Sequence, residues 1–298
     1  METDVYKPEN NIRIVTATSL FDGHDASINI MRRILQSTGV EVIHLGHNRS
    51  VKEIVDAAIE EDVQGIAISS YQGGHIEFFK YMVDLLREYN APHIKIFGGG
   101  GGVIVPEEIK ELEAYGITKI YSPEDGAAMG LQGIINHMTR ELDFPSVSDG
   151  DVDLSALSPD NKLMVARLMT AVEQAVAGHE SKRDKLRSGL DAKINGRKVP
   201  VVGITGTGGA GKSSLTDELI LRFLHDMQDI HIAIISSDPS RRKTGGALLG
   251  DRIRMNAIKN PRIYMRSLAT RHSNTEIPVA LEEVIRVAKA AGYDLIIA

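Results

Sequence analysis

From Ile12 to about Leu142, short apolar runs alternate with stretches whose apolar residues recur at helical spacing. The runs Arg13–Ala17, Glu41–His44, Gly65–Ser69, Ile94–Phe97 and Lys119–Tyr121 predict five strands, and the patterns Ile28–Gln36 and Val51–Glu60 predict helices between them. Ser50-Val-Lys-Glu53 is a capping box and marks where the second helix begins. No two strands are joined by a tight hairpin turn. Strands alternating with helices then imply a five-stranded parallel α/β sheet covered on both faces, with flavodoxin-like (Rossmann-type) order. Residues 1–143 read as one domain.

The pattern changes after that. Phe144–Asp160 is rich in Pro, Ser and Asp and reads as a linker. Asn161–Lys193 is helical in pattern, with Leu163, Ala166, Leu168, Met169, Val172 and Val176 on an apolar side. Its charged second half, from Glu180 to Arg187, is expected to be solvated. Residues 144–198 thus form a linker and helical segment. A second α/β unit occupies 199–298, with strands expected at Val199–Thr205, Ile230–Ser236 and Tyr293–Ala298 and a helix at Ser214–His225.

Composition narrows the classes. At 298 residues, with 42% hydrophobic and 25% charged positions, the chain can build two cores. Its net charge of −6 argues against nucleic acid as a main partner. The absence of cysteine excludes disulfides, thiolate metal sites and cysteine nucleophiles. No apolar run reaches membrane-spanning length and the polar N-terminus lacks a signal-peptide core, so the expectation is a cytoplasmic protein without a membrane partner.

Gly206-Thr-Gly-Gly-Ala-Gly211-Lys212-Ser213 fits the phosphate-binding loop, placed between an expected strand and an expected helix. Backbone N–H groups of Gly208, Gly209, Ala210 and Gly211 would wrap a diphosphate, helped by the helix dipole. Lys212, the candidate catalytic residue, would reach the outer phosphates, and Ser213 would ligate Mg²⁺.

A second set of candidates lies upstream. In open parallel sheets ligands bind beyond the carboxyl ends of the strands. The first such tip carries Asp22-Gly-His24, the third Ser69-Ser-Tyr71, and the fourth a run of five glycines, Gly98–Gly102. A histidine two residues after an aspartate suits a metal ligand whose other ring nitrogen is oriented by a carboxylate, and equally a solvated loop residue. The combination of Asp22, His24, Ser69, Tyr71, Gly98 and Gly99 resembles the cobalamin-binding domain of acyl-CoA mutases and methionine synthase, whose pattern is D-x-H-x-x-G, S-x-L, G-G. The resemblance implies that His24 is the lower cobalt ligand, that Asp22 hydrogen-bonds it, and that Ser69 and Gly98–Gly99 accommodate the displaced nucleotide tail. Ser27 stands where that family has glycine and Tyr71 where it has leucine. Both lie on the expected path of the tail.

The second half resembles the G-protein chaperones of methylmalonyl-CoA mutase, through Gly203–Ser214, Ser236-Ser-Asp238-Pro-Ser240 and Thr244–Met255. This implies Asp238 and Asp251 near Mg²⁺, Arg254 on the nucleotide, and GTP/GDP as ligand. The usual guanine signature N-K-x-D does not occur in the sequence. Arg241, Arg242 and Lys243 read as a solvated loop face. The G domain looks incomplete after the strand Tyr293–Ala298, which suggests the N-terminal part of a longer protein.

Together the two halves resemble the fused isobutyryl-CoA mutases. That implies adenosylcobalamin-dependent isomerisation of a branched-chain acyl-CoA, in which Co–C homolysis yields a hydrogen-abstracting radical, with the substrate bound by a domain outside this chain. It also implies a GTPase that gates cofactor loading, and a homodimer. Two other readings stay open: a stand-alone cobalamin-binding GTPase chaperone serving a separate mutase, and a corrinoid methyl carrier. The carrier usually has a helical cap before the domain, where this sequence has only Met1–Asn11.

Overall fold

The computed structural model describes residues 4–148, 150–178, 180–241, 244–271 and 277–298. Along the chain its elements begin β1 (Arg13–Ser19), α1 (Ala26–Ser37), β2 (Glu41–Arg49), α2 (Val51–Glu60), β3 (Gly65–Ser69), α3 (His75–Glu88), β4 (Lys95–Gly99), α4 (Pro106–Tyr115), β5 (Lys119–Tyr121) and α5 (Pro123–Leu142). They continue with α6 (Lys162–Gly178), α7 (Glu180–Ile194), β6 (Val201–Val202), α8 (Lys212–Asp226), β7 (Ile232–Asp238), β8 (Ala247–Leu249), β9 (Ile263–Ala269), α9 (Leu281–Ala291) and β10 (Leu295–Ile297). The chain divides into two compact units.

The first unit comprises Met1–Ile59, Val63–Pro145 and Ser240–Gly250. Its sheet runs β5-β4-β3-β1-β2-β8, and every pairing is parallel. The five strands expected from the sequence hold the flavodoxin-like order. The sixth, β8, was not expected. It pairs Ala247 with Glu41 and Leu249 with Ile43. All seven residues of β1 are buried, as befits a strand covered on both faces. Ile14, Val42, Leu35, Phe97, Ile135 and Leu142 form much of one core face. The capping box at α2 is present: the Ser50 N–H donates to Glu53 at 3.0 Å, and the Glu53 N–H returns to the Ser50 hydroxyl at 3.3 Å. Helix α1 begins two residues before its expected start, because Ala26 and Ser27 already take helical conformation.

The second unit comprises Glu60–Asp62, Ser146–Pro239 and Asp251–Ala298. Its parallel sheet runs β6-β10-β7-β9. The strand expected over Val199–Thr205 shortens to the two residues Val201–Val202, and beyond them the Ile204 N–H still donates to the Ala298 carbonyl at 2.7 Å. Strand β9 is an addition to the sequence reading. Its middle residue Arg266 is fully buried, with the Thr170 hydroxyl at 2.9 Å and Glu173 at 3.5 Å as partners. Leu168, Met169, Val172, Val287, Tyr264 and Tyr293 fill one core. Ile220, Ile232, Ile263 and Met265 fill another under α8. Between Leu142 and Lys162 the described residues hold only one short 3₁₀ turn, Leu154–Ala156. Arg252 is buried between Glu60 at 2.6 Å and Glu61 at 2.7 Å. Burial alone would lower its pKa, but the two carboxylates outweigh it and raise the pKa. Among the described residues no helix is long and apolar enough to cross a membrane.

Candidate functional site

The first candidate site lies at the carboxyl ends of β1, β3 and β4. After β1 the chain turns sharply, the Asp22 N–H returning to the Ser19 carbonyl at 3.1 Å, and Phe21 takes a φ of +64°. Asn48 holds that conformation by accepting the Phe21 N–H at 2.8 Å. The turn carries the Asp22 side chain inward, where the residue is 2% exposed. There its carboxylate accepts three hydrogen bonds, from the His24 backbone at 2.9 Å, the His24 Nδ1 at 2.8 Å, and the Tyr71 backbone. Burial would raise the Asp22 pKa. The Tyr71 and His24 N–H groups and the His24 ring outweigh it and hold the carboxyl below its usual range.

An ionised carboxylate only accepts, so the proton of the His24 ring sits on Nδ1 and the Nε2 lone pair is left available. The His24 side chain is 76% exposed. Its ring lies 5.5 Å from that of Tyr71, tilted by 44°. The Tyr71 and Ser27 hydroxyls share a hydrogen bond of 2.9 Å.

Beside this cluster is a cavity of about 220 Å³, bounded among others by Met31, Ala67, Ser69, Phe97, Gly99 and Met138. Its lining is mainly apolar. Among the described residues the Ser69 hydroxyl has no hydrogen-bond partner, whereas Ser19 and Ser70 bond each other at 2.9 Å. The glycine run serves two ends. A Cβ on Gly98 would stand 2.5 Å from Phe79 Cζ, and one on Gly100 would stand 2.0 Å from the Ser70 carbonyl oxygen. Those two glycines are required by the protein's own packing. Gly99 would meet nothing closer than the Tyr121 carbonyl oxygen at 3.6 Å, and Gly101, at φ +57°, supports the Tyr71 ring.

The second candidate site follows β6. Gly209 and Gly211 take φ of +80° and +84°, which glycine adopts without strain, and α8 starts at Lys212. The loop residues Gly208, Gly209 and Ala210 are exposed. The Lys212 ammonium donates to the Gly206 carbonyl at 2.8 Å and to the Thr207 carbonyl at 3.1 Å. The Ser213 hydroxyl donates to Asp251 at 3.4 Å. Ser236 on β7 donates to the other Asp251 oxygen. Arg254, 70% exposed, lies 3.9 Å from Asp251. Asp238 is the last residue of β7. The loop face read at 241–243 is described only at Arg241, which is exposed and donates its N–H to the Gly246 carbonyl at 2.8 Å; Arg242 and Lys243 lie outside the described residues.

The B12 binding domain family matches residues 12–130, and the methylmalonyl-CoA mutase-associated GTPase MeaB family matches residues 165–298. The fused isobutyryl-CoA mutase of Geobacillus kaustophilus is 62% identical over 295 residues, covering 98% of this chain and 27% of that protein. That of Cupriavidus metallidurans is 62% identical over 291 residues, covering 97% and 26%. The 2-hydroxyisobutanoyl-CoA mutase small subunit of Aquincola tertiaricarbonis is 30% identical over 109 residues, covering 37% of this chain and 79% of that subunit. The chain belongs to the fused isobutyryl-CoA mutase family. It spans about a quarter of the length of the fused mutases it matches.

The matched B12 binding region contains every residue of the β1–β3–β4 tip cluster, and the matched GTPase region contains the whole phosphate loop. Two contacts escaped the sequence reading. The Ser27–Tyr71 bond joins residues 44 positions apart. Ser236 was visible as part of the Ser236-Ser-Asp238 motif, but nothing in its spacing pointed to Asp251.

Proposed function

We propose that this chain is the cofactor-holding and GTPase portion of an adenosylcobalamin-dependent acyl-CoA mutase. In sequence it divides into a cobalamin-binding domain at 1–143, a linker and helical segment at 144–198, and a GTPase domain at 199–298. The observation that supports this most is the Asp22–His24 pair with its available Nε2, set beside an apolar cleft. An imidazole nitrogen suits cobalt, and the carboxylate behind it fixes the tautomer and raises its basicity. The cleft fits a nucleotide tail: it is apolar, and Ser69 offers a hydroxyl that has no partner among the described residues. Gly99 also borders the cleft, with the Tyr121 carbonyl oxygen 3.6 Å from where a Cβ would stand.

Bound adenosylcobalamin would supply the radical that abstracts hydrogen from the substrate. The residues of this chain hold and orient. Asp22 keeps the proton on Nδ1 of His24, His24 offers Nε2 to the metal, and Ser69, Tyr71, Gly98 and Gly99 border the tail. The acyl-CoA, in this reading isobutyryl-CoA converted to n-butyryl-CoA, binds to a domain outside this chain, and the working form is a cytoplasmic homodimer.

In the GTPase portion, Gly208–Gly211 present backbone N–H groups to GTP or GDP, and Lys212 exchanges its two loop carbonyls for phosphate oxygens. Ser213, Asp238 and Asp251 serve Mg²⁺, and Arg254 contacts the nucleotide. Among the described residues no three His, Cys, Asp or Glu side chains converge on one point. The cation would therefore take most of its ligands from phosphate and water. Nucleotide turnover would gate loading of the corrinoid or release of a damaged one.

The test is a titration with adenosylcobalamin, wild type beside His24→Ala, read by the visible spectrum and, after reduction to cobalt(II), by paramagnetic resonance. A base-off spectrum with protein-nitrogen hyperfine structure that disappears in His24→Ala is expected. No binding, or binding identical in the variant, overturns the reading.

A further inference from the structure

Tyr71 occupies a position that neither the metal-ligand role nor the chemistry of the tail explains. Three contacts define it. Its backbone N–H is tied to the Asp22 carboxylate, so its main chain is fixed to the group that orients His24. Its ring rests against Gly101, where an added Cβ would come within 3.0 Å of the ring's Cε1, and its ring centre is 5.5 Å from that of His24. Its hydroxyl reaches Ser27, near the start of α1, at 2.9 Å. Tyr71, Ser27 and Gly101 all border the 220 Å³ cleft, as do Ser69 and Gly99. The ring therefore spans the cleft from the β4 loop to α1, with a hydrogen bond as its far fastening.

Both ends of that bond are the residues at which this chain departs from the glycine and leucine of the cobalamin pattern. Glycine and leucine cannot make such a bond, because neither carries a hydroxyl. We propose that Tyr71 and Ser27 form a latch across the mouth of the tail cleft, which makes Tyr71 the residue that governs entry of a corrinoid's nucleotide tail. This rests on the corrinoid reading above. The bond of the Tyr71 N–H to Asp22 confines the motion to rotation of the side chain, so the latch opens without disturbing the carboxylate that orients His24. Opening costs one hydrogen bond. That predicts a kinetic effect on tailed corrinoids and none on a corrinoid that has no tail to insert.

The experiment compares the 298-residue chain with Tyr71→Phe and Ser27→Ala, mixing each with cobalamin and, separately, with cobinamide, which lacks the nucleotide tail. Binding is followed by stopped-flow absorbance. Tyr71→Phe keeps the ring and its packing, and Ser27→Ala removes the partner without touching the tyrosine, so the two variants cross-check each other. The expected result is that cobalamin binds about 3- to 10-fold faster to both variants than to wild type, while cobinamide binds all three at one rate. Unchanged or slowed cobalamin binding, or an equal acceleration of cobinamide, overturns the latch and leaves the corrinoid reading in place. Failure of the wild-type chain to bind either corrinoid overturns the corrinoid reading and the latch with it.

Discussion

The glycines at 98–101, which end β4 and open the loop after it, and those at 206–211, which follow β6, both border a candidate ligand site, yet a methyl group added to each meets different surroundings. At Gly98 and Gly100 it strikes the protein itself, 2.5 Å from Phe79 Cζ and 2.0 Å from the Ser70 carbonyl oxygen. At Gly208, Gly209 and Gly211 it meets nothing within 4 Å. Gly98 and Gly100 are glycine so that β4 and its loop can close against neighbouring elements. The second run is glycine for its backbone dihedrals, or for whatever approaches it from outside. The surrounding side chains follow the same division. Asp22 is buried and three times hydrogen-bonded before any ligand is considered. Lys212, by contrast, is folded back on its own loop. One region is arranged by its own packing, and the other by the ligand it would receive.

The sharpest way to break this contrast is Gly100→Ala. A backbone carbonyl cannot swing aside as a flexible side chain can, so we expect a loss of about 3 kcal/mol or more in urea unfolding. A loss under 1 kcal/mol would show that the first run is as free as the second. Lys212→Ala should leave folding intact and cost about 1.5–3 kcal/mol in nucleotide binding, read by calorimetry with GDP and Mg²⁺. Retained affinity would remove the ligand-shaped half of the comparison.

A smaller effect distinguishes the two regions by pH. His44, half-buried on β2 next to the Thr16 hydroxyl at 2.9 Å, has its pKa lowered to about 4, first by burial and then by Arg32. The folded state thus favours neutral His44. The stability this gives is complete above about pH 6.5 and is lost as pH falls toward 4, about 1–2 kcal/mol after solvent screening. His44→Gln should flatten that slope in pH-dependent denaturation of the chain, and an unchanged slope would contradict it. The smallest expected effect is Gly208→Ala. Stability should move by less than about 0.5 kcal/mol, with any loss confined to nucleotide affinity.

Much of the first unit was legible because its apolar runs are short, separate and bounded by polar turns. Gly65–Ser69 and Lys119–Tyr121 match their expected limits to the residue. Strand β9 escaped because Arg266 interrupts Ile263–Ala269, and no local pattern shows that Thr170 and Glu173 will receive a buried guanidinium there. Strand β8 escaped for a different reason. Three residues are too few to carry a period, and what makes Ala247–Leu249 a strand is the open edge of β2, some two hundred positions earlier. The tip of the first sheet was legible in its residue types but not in its reasons. Gly98 was legible as a glycine at a strand end, but not the closeness of Phe79 and Ile120, which an added Cβ there would strike.

The same borrowed strand bears on how this protein can be cut apart. Glu41, Val42 and Ile43 have their outer hydrogen-bonding side covered by a segment that the chain supplies only after the phosphate loop. A fragment ending at residue 143 would keep every residue of the His24 cluster and of the cleft beside it. It would also expose a bare, apolar β edge of the kind that recruits further strands and drives aggregation. Poor solubility of such an excised module would therefore say nothing about its competence to bind a ligand. Restoring the seven residues Thr244–Gly250 as a separate peptide would be the direct remedy.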